Sequence, residues 1–267
     1  MPKIQANGVE LHYEESGSGD ETIVFSHGLM MNLHMFDEQV KHFSKQYRCI
    51  AYDHRGQGKS EVAPDGYDME TCYEDAAALI EALGIAPVHF VGLSMGGFVG
   101  MRLGARRPEL VKSLVLMETS ADPEPSENLP RYRLLEFVAR WISPKLIVNG
   151  ASKSLFGATF RTDPKHAEKF KHWKQQIGSV HRVGATKAAN GVFTRQPVYD
   201  EIAHITTPTL VMVGTEDIAT VPAKAERIHQ QINGSQLMHI PNAGHSASLE
   251  QPQAVIDAIQ AFYDGLS

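Results

Sequence analysis

The chain has 267 residues, 42% of them hydrophobic and 21% charged, a composition that suits one large soluble domain with a substantial core and room for an insertion. A formal net charge of −6 argues against generic nucleic-acid binding, which needs a basic surface to neutralise phosphates. The start, Met1-Pro2-Lys3-Ile4-Gln5-Ala6-Asn7-Gly8, has no apolar signal region, and no stretch approaches the roughly 20 apolar residues of a membrane span; the expected setting is therefore the cytoplasm, with no membrane partner. Cys49 and Cys72 stand outside any Cys-x-x-Cys or histidine-rich context, so reduced structural thiols are expected, with no disulfide framework and no metal site.

Asn7-Gly8 tolerates positive φ at both residues and precedes the alternating run Val9 to Glu15, which predicts an opening antiparallel hairpin. Short apolar β-rich runs follow at Thr22 to Ser26, Tyr47 to Tyr52, Val88 to Leu93 and Lys112 to Met117, separated by stretches with helical spacing. The same rhythm returns with the strand Thr209 to Val213, a helix from about Pro222 to Ile232, the strand Gln236 to Ile240 and a last helix from about Pro252 to Tyr263. Pro222 and Pro252 suit first-turn helix positions, where no N–H is missed. This alternation predicts an α/β fold, a mainly parallel sheet flanked by helices on both faces.

Between Ser120 and Pro197 no strand run occurs, and aromatic residues recur at helix-like spacing. The expected organisation is a core of residues 1–119 and 198–267 interrupted by a helical cap at 120–197, lying over the carboxyl ends of the strands where open α/β sheets place their ligands. Residues 121–197 carry 13 Lys and Arg against 6 Asp and Glu, so the rest of the chain is strongly acidic. Lys165, Lys169, Lys171 and Lys174 read as a solvated helix face that helps to dock the cap electrostatically.

Gly92-Leu93-Ser94-Met95-Gly96 directly follows one predicted strand and opens a helix, the context of a nucleophile elbow whose strained serine needs minimal neighbours two residues to either side. A serine hydroxyl needs a base within hydrogen-bond reach. His245, in the loop after the last strand, and Asp217, just past the strand before it, reach the same carboxyl edge in the chain order Ser, Asp, His; Glu216 and Asp122 are rival acids. The oxyanion of acyl transfer needs two backbone donors. Met95, at the start of its helix, is one candidate, and Leu29, in the loop His27-Gly28-Leu29-Met30, is the other, with His27 expected to shape that turn. Met30, Arg131, Phe137, Arg140, Trp141 and Phe160 are the candidates for substrate contact. Arg131, Arg133, Arg140 or Arg161 would suit a substrate carboxylate, since guanidinium binds carboxylate bidentately.

Gly56-Gln57-Gly58-Lys59-Ser60 imitates the end of a phosphate-binding loop, but Asp53 stands where that pattern requires glycine, and Pro64 and Gly66 follow where a helix should open. No nucleotide site is expected.

Together, His27-Gly28, Asp53-His54-Arg55-Gly56-Gln57-Gly58-Lys59-Ser60, Gly92-Leu93-Ser94-Met95-Gly96-Gly97, Gly214-Thr215-Glu216-Asp217 and Gly244-His245 make the chain resemble the α/β-hydrolase superfamily over essentially its whole length. Within it the chain resembles small bacterial carboxylesterases and 3-oxoadipate enol-lactonases. Haloalkane dehalogenases and epoxide hydrolases of similar fold carry aspartate where Ser94 stands, and cofactor-free perhydrolases resemble the Ser-Met-Gly-Gly segment but carry an aromatic where Leu29 stands. The resemblance implies a serine hydrolase acting on a small-molecule ester or lactone without metal or organic cofactor, with the Asp53–Ser60 loop structural. A hydrolase-fold ligand receptor is the reading from another class, although nothing in the sequence indicates a partner surface.

Overall fold

In the computed structural model, which describes residues 2–266, the expected runs form eight strands: β1 Lys3–Ala6, β2 Val9–Ser16, β3 Thr22–Ser26, β4 Arg48–Tyr52, β5 Val88–Leu93, β6 Val111–Met117, β7 Thr209–Gly214 and β8 Gln236–Ile240. They hydrogen-bond in the order β1-β2-β4-β3-β5-β6-β7-β8. The β1–β2 and β2–β4 pairs are antiparallel and every later pair is parallel. The first hairpin turns at Asn7 and Gly8, with φ of 47° and 74°, as a two-residue turn with both centres left-handed requires.

Side chains alternate between two apolar layers, as the two-residue period of a strand dictates. Val24, Phe90, Leu114, Leu116, Val211 and Val213 enter one layer; Ile23, Phe25, Val91, Leu93, Val115, Met117, Leu210 and Met212 enter the other. The first is covered by α2 Met69–Leu83, α3 Met95–Arg106 and α9 Pro222–Gln231. The second is covered by α1 Asp37–Phe43, α10 Ala247–Glu250 and α11 Pro252–Asp264. Helix α2 has a defined start and stop: the Asp68 carboxylate accepts from Thr71 N–H at 2.9 Å, and Gly84 ends the helix in the left-handed region, where glycine bears no Cβ penalty.

No strand occurs between β6 and β7. That stretch holds α4 Leu129–Trp141, α5 Val148–Leu155, α6 Ala158–Thr162, α7 Ala167–Gly178 and α8 Arg182–Phe193. Tyr132 and Phe193 stack at 3.9 Å where α4 meets α8. Phe156, Phe160 and Phe170 form an aromatic cluster continuous with the second apolar layer. Of the four lysines expected to dock the insertion electrostatically, three find their partners inside it. Lys165 pairs with Asp163, Lys171 with Glu168, and Lys174 lies over the Phe170 ring, all within the insertion. Lys169 alone of the four reaches the core, where it donates to the Leu249 carbonyl and also feels the negative charges of Glu38 and Asp37.

Candidate active site

The parallel strands all end at one edge of the sheet, so the loops that follow them converge there. The turn after β5 is extremely tight. A Cβ on Gly92 would come within 2.2 Å of the Gly96 carbonyl oxygen, and one on Gly96 within 2.0 Å of the Ser26 carbonyl oxygen. Only glycine fits at either place. Ser94 sits between them at φ 54°, ψ −107°, a left-handed conformation held by the Ser94 N–H bond to the Met117 carbonyl at 2.8 Å and by the start of α3 immediately after it. Such strain costs about 1–3 kcal/mol and persists where surrounding structure enforces it.

His245 Nε2 lies 2.8 Å from Ser94 Oγ, and its Nδ1 lies 2.9 Å from Asp217 Oδ2. All three residues are buried. Asp217 also accepts from the N–H groups of Ala219 and Thr220 and from the Thr220 hydroxyl at 2.8–3.0 Å. Burial works to raise its carboxyl, but the adjacent imidazole and the Thr220 bonds outweigh it and hold the group below the ordinary carboxylate value. Asp217 is therefore an anion positioned to fix the imidazole tautomer and to stabilise an imidazolium. A serine hydroxyl in this chain of bonds can be deprotonated as it attacks an electrophile.

Two N–H groups are the candidate oxyanion donors. Met95 opens α3, so no carbonyl of its own helix accepts its N–H. Leu29 belongs to the turn closed by the Met31 N–H bond to the Gly28 carbonyl at 3.2 Å; its own N–H has no partner among the described residues. That turn lies against the serine, since a Cβ on Gly28 would stand 3.5 Å from Ser94 Cβ. His27 is held inside the fold, Nδ1 on the Gly28 carbonyl and Nε2 accepting from His54 N–H. Burial keeps its imidazole below its ordinary value.

The rival acids have other partners. Glu216 accepts from the Thr159 N–H and hydroxyl, and Asp122 pairs with Lys224 and Arg227. Of the side chains expected to meet substrate, Met30 is half-buried in the turn beside Ser94. Phe137 and Trp141, 56% and 69% exposed, and Arg140, beside the Trp141 ring, line an open groove between α4, α8 and residues 64–68. Arg131 and Arg133 are exposed on α4. Phe160 is 1% exposed within the aromatic cluster, and Arg161 donates to the Phe156 carbonyl. The contacts of these side chains do not include the Ser94–His245–Asp217 chain.

The motif family described as the alpha/beta hydrolase fold matches residues 21–252. The chain belongs to this family. It is 30% identical, over 96% of its length and 98% of the relative, to a Mycobacterium tuberculosis protein provisionally named non-heme bromoperoxidase BpoC. It is 28% identical to 3-oxoadipate enol-lactonase 2 of Acinetobacter baylyi, over 97% and 94% of the two chains. Among solved structures it is similar to a thermophilic esterase from Thermogutta terrifontis with malate bound, with a TM-score of 0.91, 30% identity and 99% of each chain covered.

Several polar residues around the α/β-hydrolase site carry no signal in the sequence. Thr220 braces Asp217. Buried Glu250 accepts from the N–H groups of Gly157, Gly244 and Ser246, so one carboxylate holds both flanks of His245 and the insertion. The Ser246 hydroxyl adds a bond to the Leu155 carbonyl. Gly157 and Gly244 pack so closely that a Cβ on Gly157 would stand 2.8 Å from the Gly244 nitrogen; Gly244-His245 carried a visible motif, but its partner across the interface did not. Among the described residues no helix is long and apolar enough to cross a membrane.

Proposed function

We propose that the protein is a serine hydrolase that cleaves carboxylic esters of small molecules through an acyl-enzyme. The observation that carries this reading is the continuous hydrogen-bonded path from Ser94 Oγ through His245 to the Asp217 anion; we take the Leu29 and Met95 N–H groups as its oxyanion donors. In the first half-reaction Ser94 Oγ bonds to the ester carbonyl carbon as His245 Nε2 takes the hydroxyl proton. The carbonyl oxygen becomes an oxyanion facing the Leu29 and Met95 N–H groups, and preorganised donors of this kind are worth about 10²–10³ in kcat each. Collapse breaks the bond to the alcohol oxygen, which leaves with the proton from His245. Water then repeats the sequence on the acyl-enzyme, releasing the acid and restoring Ser94. We take Met30, in the turn whose Gly28 packs against Ser94, as the side chain that meets the acyl or alcohol group.

The similarity to a named enol-lactonase supports a second substrate class, since a lactone passes through the same steps and differs only in keeping its alcohol tethered. A cationic anchor for an acidic lactone gains no support from Arg131, Arg133, Arg140 or Arg161, whose contacts lie elsewhere, and the neutral ester is therefore the primary reading.

The test is turnover of p-nitrophenyl acyl esters beside a lactone panel, in the parent and in Ser94→Ala. The variant should keep the parental Tm within a few degrees and lose kcat by about a thousandfold or more. Near-parental turnover by folded Ser94→Ala would refute the serine mechanism. A single labelling event without cycling would instead indicate a receptor.

A further inference from the structure

Helix α4 turns one apolar face to solvent. Among the described residues nine large apolar side chains are exposed, and five of them, Leu134, Phe137, Trp141, Ile142 and Leu146, lie on α4 or in the turn after it. Apolar side chains exposed singly need no account, but a cluster of this kind marks a contact surface. At 3.6 residues per turn Leu134, Phe137 and Trp141 form one stripe along the helix. The opposite side is the one that packs: Tyr132 stacks on Phe193 of α8, and Ala139 is buried.

Cations edge the stripe. The helical period sets Arg133 and Arg140 along one side of it and Arg131 along the other, and Lys145 follows in the turn. None of these four forms a salt bridge among the described residues, whereas Arg48, Arg55, Arg102, Arg106 and Arg107 of the core each do. Arg140 lies over the Trp141 ring instead. Glu136, the one acid between residues 129 and 146, is half-buried with Arg133 and Asn190 as its neighbours. Asp65 and Asp68 stand on the other wall of the groove beside α4, and Thr71 takes up the Asp68 carboxylate.

An apolar stripe with aromatic residues, edged by unpaired cations, suits a helix lying in the plane of a membrane interface, its apolar side chains among the acyl chains and its cations at the phosphates. A second copy fits less well, because two such stripes packed face to face set arginine against arginine with Glu136 alone to answer. We propose that the outward face of α4 and the 142–146 turn is a docking surface for an anionic phospholipid bilayer. The expectation of no membrane partner rests on the missing spanning run; that bears on crossing a bilayer, and a helix that lies on one needs no such run. The acidic remainder of the chain is repelled by an anionic surface, so the insertion leads the approach. The proposal does not depend on the serine mechanism.

The chain has two tryptophans, and Trp173 is buried, so a change in emission on adding vesicles reports Trp141. The experiment adds vesicles of phosphatidylcholine, alone or mixed with phosphatidylglycerol, to the full chain at low salt, and reads co-sedimentation, tryptophan emission and quenching by acrylamide. With mixed vesicles the protein should sediment, emission should move to shorter wavelength and quenching should fall. Phosphatidylcholine alone should give little of this, as should mixed vesicles at about 1 M salt, where the Debye length contracts to about 3 Å. Each cation near an anionic surface strengthens binding about fivefold, so Arg133→Gln/Arg140→Gln should bind about twenty- to thirtyfold more weakly. Lys41→Gln/Lys45→Gln, which removes the same charge from exposed positions on and just after α1, should stay within about threefold of the parent. Leu134→Ser/Ile142→Ser keeps every charge and should weaken binding about tenfold or more. All these positions are exposed, so each variant should hold the parental Tm within a few degrees. No binding to mixed vesicles, binding without a change at Trp141, or equal losses in the arginine and lysine pairs would overturn the proposal. So would a dimer in which Trp141 is already shielded from acrylamide and vesicles change nothing.

Discussion

Replacing Glu250 with glutamine preserves the shape of a 1%-exposed side chain while changing what its two ends can accept. Oε2 takes the Gly157 and Gly244 N–H groups at 2.9 Å each, and Oε1 takes that of Ser246 at 3.0 Å. A carboxamide supplies one acceptor and one donor, so in either orientation at least one buried N–H faces an NH₂ group. A hydrogen bond to a charged partner is worth about 1.5–3 kcal/mol. Burial pushes the Glu250 carboxyl above its ordinary value, although the three N–H bonds oppose this, so deleting the charge returns part of the loss. The net expectation is about 1–3 kcal/mol of destabilisation, or a fall in Tm of about 3–10 °C for a chain of this size. Because Gly244 and Ser246 flank His245, kcat should fall about ten- to hundredfold from displaced imidazole geometry. Thermal unfolding and ester kinetics on Glu250→Gln read both effects. A Tm within a degree of the parent together with kcat/KM within twofold would refute the claim that this carboxylate holds the loop.

Glu118 is fully buried just past β6, at φ 43°, with no hydrogen-bond partner for either carboxyl oxygen among the described residues. Burial first, then the negative charges of Asp217 and Glu250, holds its carboxyl well above the ordinary value. The native state therefore keeps a proton that the unfolded chain releases near the usual carboxylate range, and stability declines as pH rises from there toward the native value, by about 1.4 kcal/mol per unit of separation. Glu118→Gln should accordingly gain stability over the parent by an amount that grows between pH 5 and 8 in denaturant titrations; a pH-independent difference would refute this. Gly96→Ala should lose at least about 1–3 kcal/mol through overpacking, and most of its activity, because its Cβ meets the Ser26 backbone at 2.0 Å; parental Tm and kcat/KM would show that the elbow has room to yield.

The sheet is legible because its strands are short β-branched apolar runs bounded by turn residues, and the observed ends differ from the expected ones by about one residue. Val111 joins β6 because it pairs with Val88, and Gly214 joins β7 because it pairs with Ile240; ladder partners set strand ends, and a single run of sequence does not contain them. The elbow is legible for the opposite reason: its constraint is local, two glycines two residues from Ser94. The polar scaffold around it is not. Gln57 meets Met30 across 27 positions and Glu250 meets Gly157 across 93, so neither pairing leaves a periodic or spacing signature. Within the insertion, helical spacing marks the aromatics without telling which face they take. Trp173 and Phe160 are buried, whereas Phe137 and Trp141 of α4 are exposed.

Charge counting along the chain points to a basic insertion held on an acidic body by ion pairs; Asp122 pairs across the boundary in the opposite sense, with Lys224 and Arg227 of the core, and the contacts nearest the site are of another kind. Glu216 accepts from Thr159, Glu250 from Gly157, Ser246 donates to Leu155, and Lys169 donates to the Leu249 carbonyl. These bonds converge on residues 155–159 and 169 of the insertion and, on the core side, on the immediate neighbours of Asp217 and His245. Buried bonds to carboxylates and carbonyls are screened by salt far less than surface pairs, so docking at this end should depend on ionic strength less than the Asp122 pairs with Lys224 and Arg227 do. It follows that the insertion and the proton-transfer residues form one mechanical unit. A substitution that reshapes α5 or α6 to admit a different substrate acts on the loops of Asp217 and His245 as well, and its effect on kcat cannot be separated from its effect on specificity by contact with substrate alone.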